Sequence, residues 1–230
     1  MKNLNQFINQ HILESLKGYK PGAIKPKEQL PENCNEYFFD KEVNVDEIEN
    51  LDTSNVTNMD KMFERATFSS NSLDLSGWDV SKVTTMKYMF IFCKNLKYLD
   101  LSSWDVSNVT DMGNMFYFCK NLEYLDLSGW DTSKVKNIDY MFSVCYNLTN
   151  IKFSSSFSSL GSNNTPIELN LRDCGKNKGY KLSDETYESM LTMYDRKKAG
   201  LDPMKILVNK NHNIPDGWKD KMEERGYLII

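Results

Sequence analysis

The sequence predicts an α/β solenoid: a parallel sheet of about four 26-residue rungs, preceded by an N-terminal helix and closed by an α/β C-terminal cap. Three observations predict it. Trp78, Trp104 and Trp130 are spaced by 26, and so are Cys93, Cys119 and Cys145. Met89-Phe90, Met115-Phe116 and Met141-Phe142 keep the same step. Self-similarity at a fixed period of this size is the signature of a stack in which each unit buries its apolar face against the next. Such a stack sets the same residue type on every rung. It makes extended surfaces more readily than it converges different side chains on one reacting atom.

In chain order, Leu4, Phe7, Ile8, His11, Ile12 and Leu16 fall at helical spacing and predict a short amphipathic helix. The Pro/Lys/Gly stretch from Lys20 to Pro31 reads as a linker, so residues 1–31 form an appendage. That helix folds back on the stack, oligomerises or docks on a partner. Residues 32–153 hold the N-terminal cap and the rungs. Tyr37-Phe38-Phe39 and Val43-Asn-Val45 are expected to cap. The run from Leu51 to Phe63 is a first rung, with Leu51 at the Trp position and Ala66 at the Cys position. One residue is inserted before the second rung, within 67–72.

Within a rung, Leu96-x-x-Leu99-x-Leu101 predicts a strand with Leu99 and Leu101 facing one way, and Tyr98, Asp100 and Ser102 the other. Val109, Met112, Met115 and Phe116 then recur at i, i+3, i+6 and i+7. That suits a short helix capped by Ser107 or Asp105. One strand and one helical turn per rung is a leucine-rich-repeat-like recipe, with strands about 4.8 Å apart.

Residues 154–230 form the C-terminal cap. Ile167–Leu171, Ile206–Val208 and Tyr227–Ile230 read as strands. A helix is expected from Ser183, its N-cap, to Ala199, and a second from Pro215 to Arg225. Strand–helix–strand order predicts that the tail continues the parallel sheet.

The phrases LDLSGWDVSKVTTMKYMF and LDLSSWDVSNVTDMGNMF resemble the BspA-like leucine-rich-repeat family, a bacterial surface-protein repeat. The resemblance covers residues 51–153, and LSDETYESMLTMYDRKKAG resembles segments that follow such repeats. It implies protein binding or adhesion at a surface, without catalysis. Related repeats also occur in phage and prophage genes.

Composition bounds the rest. With 40% apolar and 12% aromatic residues the chain can bury a core. A net charge of −4 argues against nucleic acid as a partner. No run of 18 apolar residues exists to span a membrane. The first twenty residues lack the apolar region of a secretory signal, so a cytoplasmic or virion-associated location is expected, with reduced thiols.

Three ladders have structural readings. The cysteines are expected to be small core residues rather than metal ligands, which would have to converge tetrahedrally. The tryptophans are expected to stack in the core, a platform for sugars or peptides being the alternative. Asp52, Asp79, Asp105 and Asp131 are expected to make turns or caps, with calcium as the alternative.

The candidate binding strip lies on the open strand face: Asp74, Asp100 and Asp126, flanked by Tyr98 and Tyr124. Stacked carboxylates repel, and nothing in core packing asks for them. The expected partner is a mildly basic protein; the bland alternative is a sheet face kept soluble. His11 and His212 lie at opposite ends of the chain, and no nucleophile, phosphate-loop or metalloprotease motif occurs. No catalytic residue, cofactor or metal is therefore expected. The leading reading is a non-enzymatic binding module. The alternative is a structural or assembly component in which the N-terminal helix makes contacts, a homo-oligomer included.

Overall fold

The computed structural model describes residues 28–159, 168–193, 196–198 and 203–230. The expected N-terminal helix lies outside the described residues.

The described residues form three parallel sheets. The first pairs β1 (Glu42–Val43) with β2 (Thr67–Phe68), and a four-residue helix α1 (Val45–Ile48) follows β1. The second runs β3 (Ser72–Asp74), β4 (Tyr98–Asp100), β5 (Tyr124–Leu127) and β6 (Asn150–Phe153), in that order. Register follows the sequence step: Leu73 pairs Leu99, Leu99 pairs Leu125, and Leu125 pairs Ile151. The third sheet holds β7 (Glu168–Asn170), β8 (Met204–Leu207) and β9 (Tyr227–Ile229), with α2 (Asp184–Thr192) and α3 (Trp218–Glu224) between strands.

The expected helix at Ser107–Phe116 is absent. Its place is taken by a run of turns in which every second N–H leaves the repeat. Met115, Tyr117 and Cys119 donate to the carbonyls of Met112, Asn114 and Phe116 within the turns. Met112, Asn114, Phe116 and Phe118 instead donate to Asn137, Asp139, Met141 and Ser143 of the next repeat, at 2.8–3.1 Å. A helix would close all these bonds on itself and leave neighbouring repeats to side-chain contacts alone. The turn run needs a left-handed residue every fourth position: Asn114 and Phe118 here, Tyr88 and Phe92 before them, Tyr140 and Val144 after. The apolar spacing is met equally by both conformations, which is why the sequence read as helix.

The same pattern starts earlier than the recognisable repeats. Cys34, Glu36, Phe38 and Asp40 donate to Asn58, Asp60, Met62 and Glu64, with Glu36 and Asp40 at positive φ. The expected N-terminal cap is thus a further, degenerate rung of the turn ladder. The insertion falls where expected, at β2, between Ala66 and the strand residue Ser72.

The core lies between the strand ladder and the turn ladder. Phe38, Phe63, Phe90, Phe116 and Phe142 stack in file at centroid distances of 5.2, 5.4, 5.6 and 6.0 Å. Trp78, Trp104 and Trp130 are buried, and each indole N–H donates to a backbone carbonyl of the preceding rung, those of Ile48, Leu75 and Leu101, at 2.8–3.0 Å. The tryptophans are core, as their place in the Leu-x-Leu phrase predicts. All five cysteines are free and buried. Cys93, Cys119 and Cys145 donate their thiols to the carbonyls of Phe63, Phe90 and Phe116, and Cys174 extends the file towards Phe142. Burial pushes the Cys93, Cys145 and Cys174 thiols well above their ordinary pKa.

The tail does not continue the four-stranded sheet. Its strands form a separate sheet, and α2 covers the β6 edge instead. Thr186 Oγ1 accepts the Ile151 N–H at 2.9 Å, and Ser189 Oγ accepts that of Phe153 at 3.3 Å. The Ser183 N–H donates to Thr149 at 2.7 Å. Hydroxyls of one helix replace the donors and acceptors of a further strand and so end the sheet without an open edge. Ser183 is the N-cap expected, its Oγ accepting from Thr186 N.

Candidate functional site

The strand face carries the candidate strip in strict register. Asp74 pairs Asp100, Asp100 pairs Asp126, and Asp126 pairs Lys152. Ser72, Tyr98, Tyr124 and Asn150 form the parallel file. The structure divides these residues. Asp74 and Asp100 are exposed and Tyr98 is half-buried. Tyr124 and Asp126 are buried, at 8% and 6% exposure, so the face is not open along its whole length.

Closure at that end has a local cause. The Tyr124 hydroxyl donates to Asp126 Oδ2 at 2.9 Å. Lys152 Nζ lies 3.5 Å from the same oxygen and 5.5 Å from the Tyr124 ring centre. Glu185 of α2 reaches in to accept from Asn150 Nδ2 at 2.8 Å. Burial, then Asp126, holds the Tyr124 hydroxyl far above its ordinary pKa. Lys152 and α2 both lie outside the well-matched repeats, so the repeat phrase gives no sign of this cover.

The strand-face carboxylates also have a role the sequence reading missed. Asp74, Asp100 and Asp126 each accept the backbone N–H two residues on, from Ser76, Ser102 and Ser128, at 2.9 Å. The D-x-S spacing is the signal, and it recurs after each Trp. Asp52, Asp79, Asp105 and Asp131 accept from Ser54, Ser81, Ser107 and Ser133 at 3.0–3.1 Å. These are Asx turns, as expected for the second set and unanticipated for the first. The Ser81 hydroxyl and N–H hold Asp79 below its ordinary pKa.

One carboxylate oxygen of Asp74 and of Asp100 remains available. Among the described residues neither makes a salt bridge. Glu49 stands beside Asp74, its carboxyl held above the usual range by burial, then by Asp74 and Asp46. On the other side Tyr98 donates to Glu123 Oε2 at 3.5 Å, and Lys97 lies 3.4 Å from Glu123. The exposed part of the face is therefore an acidic patch of Glu49, Asp74 and Asp100 beside a half-buried tyrosine.

Among the described residues no histidine joins it. His11 lies outside the described residues. His212 is buried in the tail, its Nε2 3.0 Å from the Cys174 carbonyl. Among the described residues no group of three or more His, Cys, Asp or Glu side chains could hold a metal ion. Among them, too, no helix is long and apolar enough to cross a membrane.

Parallel strand and turn ladders stepping by 26 residues, with a helix-sealed sheet edge, define a repeat protein that carries an acidic strand face. The chain belongs to the family described as "Mycoplasma protein of unknown function, DUF285", whose profile matches residues 32–155. No curated protein and no solved structure matches it significantly.

Proposed function

We propose that the protein is a non-enzymatic binding module: a leucine-rich-repeat-like solenoid of the BspA-like kind that engages a basic protein surface through the exposed end of its strand face. The observation that carries the reading is the pair Asp74 and Asp100. They are exposed, stand one strand apart in register and have no cationic partner among the described residues. Like charges held about 4.8 Å apart repel, and a ligand that supplies two cations relieves the repulsion. Tyr98 adds a rigid amphipathic surface of the kind enriched at interfaces. The buried Tyr124 and Asp126, with the half-buried Lys152, set the strip's position rather than touch the partner. The W-D-V-S-x-V-T-x-M-x-x-M-F phrase supports the BspA-like affiliation, and with it a surface or virion-associated role.

The test is an aromatic photo-crosslinking amino acid in place of Tyr98, which leaves Asp74 and Asp100 intact, with the exposed position 136 as control. It is run in source-cell lysate at low and high salt. A discrete adduct is expected from position 98 alone, weakened by salt and abolished by Asp74→Asn with Asp100→Asn. Adducts from position 136 alone, or adducts from position 98 that ignore both salt and the two substitutions, would refute it.

A further inference from the structure

The face opposite in character to the acidic strip lies on the turn ladder. A groove of about 410 Å³ opens there, lined by Arg65, Phe92, Lys94, Phe118, Lys120 and Asn121. Its floor is aromatic: the Phe92 and Phe118 rings lie 4.8 Å apart at 53°. Both phenylalanines sit at left-handed positions, φ 59° and 64°, which turn their side chains away from the core. Phe92 is 36% exposed, whereas Phe90, Phe116 and Phe142 of the core file are buried. The walls are cationic. Lys120 Nζ stands 4.0 Å over the Phe118 ring. The Arg65 and Lys94 side chains are 52% and 60% exposed and share one carboxylate, Asp40, at 3.3 and 3.7 Å. Three cations thus face one anion in a protein whose net charge is −4.

We propose that this groove is a second binding site, for an acidic peptide segment that places an apolar side chain on Phe92 and carboxylates against Arg65, Lys94 and Lys120. Its size falls in the range of formed ligand sites. Charge complementarity selects an anion, and the exposed ring selects an apolar group beside it. An acidic sugar is disfavoured by the lining. Asn121 is the only neutral polar side chain there, and its amide already donates to the Lys94 carbonyl, so hydroxyls would go unread. A nucleic-acid strand is disfavoured because Lys120 occupies the Phe118 face, where a base would stack. The site is independent of the strand-face reading, and strand-face substitutions do not reach it.

Fluorescence anisotropy tests the proposal with the full chain and a labelled peptide of alternating glutamate, phenylalanine and leucine. The comparators are its glutamine counterpart and an oligothymidine of similar charge. The acidic peptide is expected to bind, and the glutamine peptide about tenfold more weakly or worse. Phe92→Ala, and Lys94→Ala with Lys120→Ala, each weaken binding by about tenfold. Asp40→Asn strengthens it by removing the competing carboxylate, and Asp74→Asn/Asp100→Asn leaves it unchanged. Circular dichroism confirms that each variant is folded; the lysine pair, being exposed, carries the test if Phe92→Ala is not. Tighter binding of the oligothymidine, or no effect of the lysine and Asp40 substitutions, overturns the proposal. So does no binding of the acidic peptide at about 1 mM, where even a weak specific site would show.

Discussion

Val144 carries a β-branched side chain at φ 64°, the most strained combination on the turn ladder. Its N–H donates to Asp173 Oδ2 at 3.1 Å, which substitutes for the missing next repeat and fixes the conformation. Asparagine tolerates the left-handed region, so Val144→Asn is expected to stabilise the protein by about 1 kcal/mol, read as a higher urea midpoint at unchanged slope. A lower midpoint would mean that side-chain packing outweighs strain there. His212 makes the second residue-scale prediction. Its Nδ1 is buried without a partner, and burial lowers its pKa from the ordinary 6.5. The unfolded chain therefore binds a proton that the native one refuses. Stability is full above pH 6.5 and falls as pH drops from there towards the lowered native value. In His212→Gln that slope is expected to flatten below pH 6.5 in a series of denaturant titrations. An unchanged slope would place the acid sensitivity elsewhere. Residue-scale burial was legible where the repeat itself causes it, as for Trp104 and Cys119. It was not legible for Tyr124, because the cover comes from Lys152 and Glu185, outside the repeat phrase.

At the scale of elements, the strand of each repeat was legible and the expected helix was wrong. Leu99 and Leu101 specify a strand by alternation, and register follows from equal spacing. Val109, Met112, Met115 and Phe116 specify only which side chains point inward. What decides against a helix is where the N–H groups of Met112, Asn114, Phe116 and Phe118 find acceptors, and that depends on the neighbouring repeat. The tail helix was legible from Ser183 and its acidic first turn, but its task was not. Thr186 is fully buried, and its hydroxyl accepts from Ile151 and lies 3.3 Å from the Thr149 carbonyl. Thr186→Val keeps the shape and removes both bonds, leaving the buried Ile151 N–H unpaired while the Thr149 carbonyl keeps the Ser183 N–H. A loss of about 1–3 kcal/mol is expected, with faster hydrogen exchange at the Ile151 amide than at Leu99. Equal acceleration at both amides would show that α2 seals nothing in particular and only adds to global stability.

For the whole molecule, the repeat imposes one physical consequence that a conventional core does not share. Each rung bonds only to its neighbours, so an interior rung should be removable in one piece. Excising residues 105–130 joins Trp104 to Asp131 and asks β4 to pair directly with β6. The apolar pairs then become Leu99 with Ile151, which have the same character as the native Leu125 with Ile151. Asp100 would face Lys152, exchanging a carboxylate ladder for an ion pair. The carbonyls awaiting Tyr88 and Phe92 would be those of Asp139 and Ser143, which now serve Asn114 and Phe118. The Trp104 carbonyl would receive the Ser156 hydroxyl that now bonds Trp130. The shortened chain is therefore expected to fold cooperatively, with a denaturant slope lower by about a tenth, in proportion to the surface removed. It should also lose the acidic-peptide site, since Val144 would replace Phe118 beside Phe92. A shortened chain that is compact but lacks a cooperative transition would show that the rungs are not interchangeable. It would count against a solenoid and in favour of a core that spans the full length of the chain.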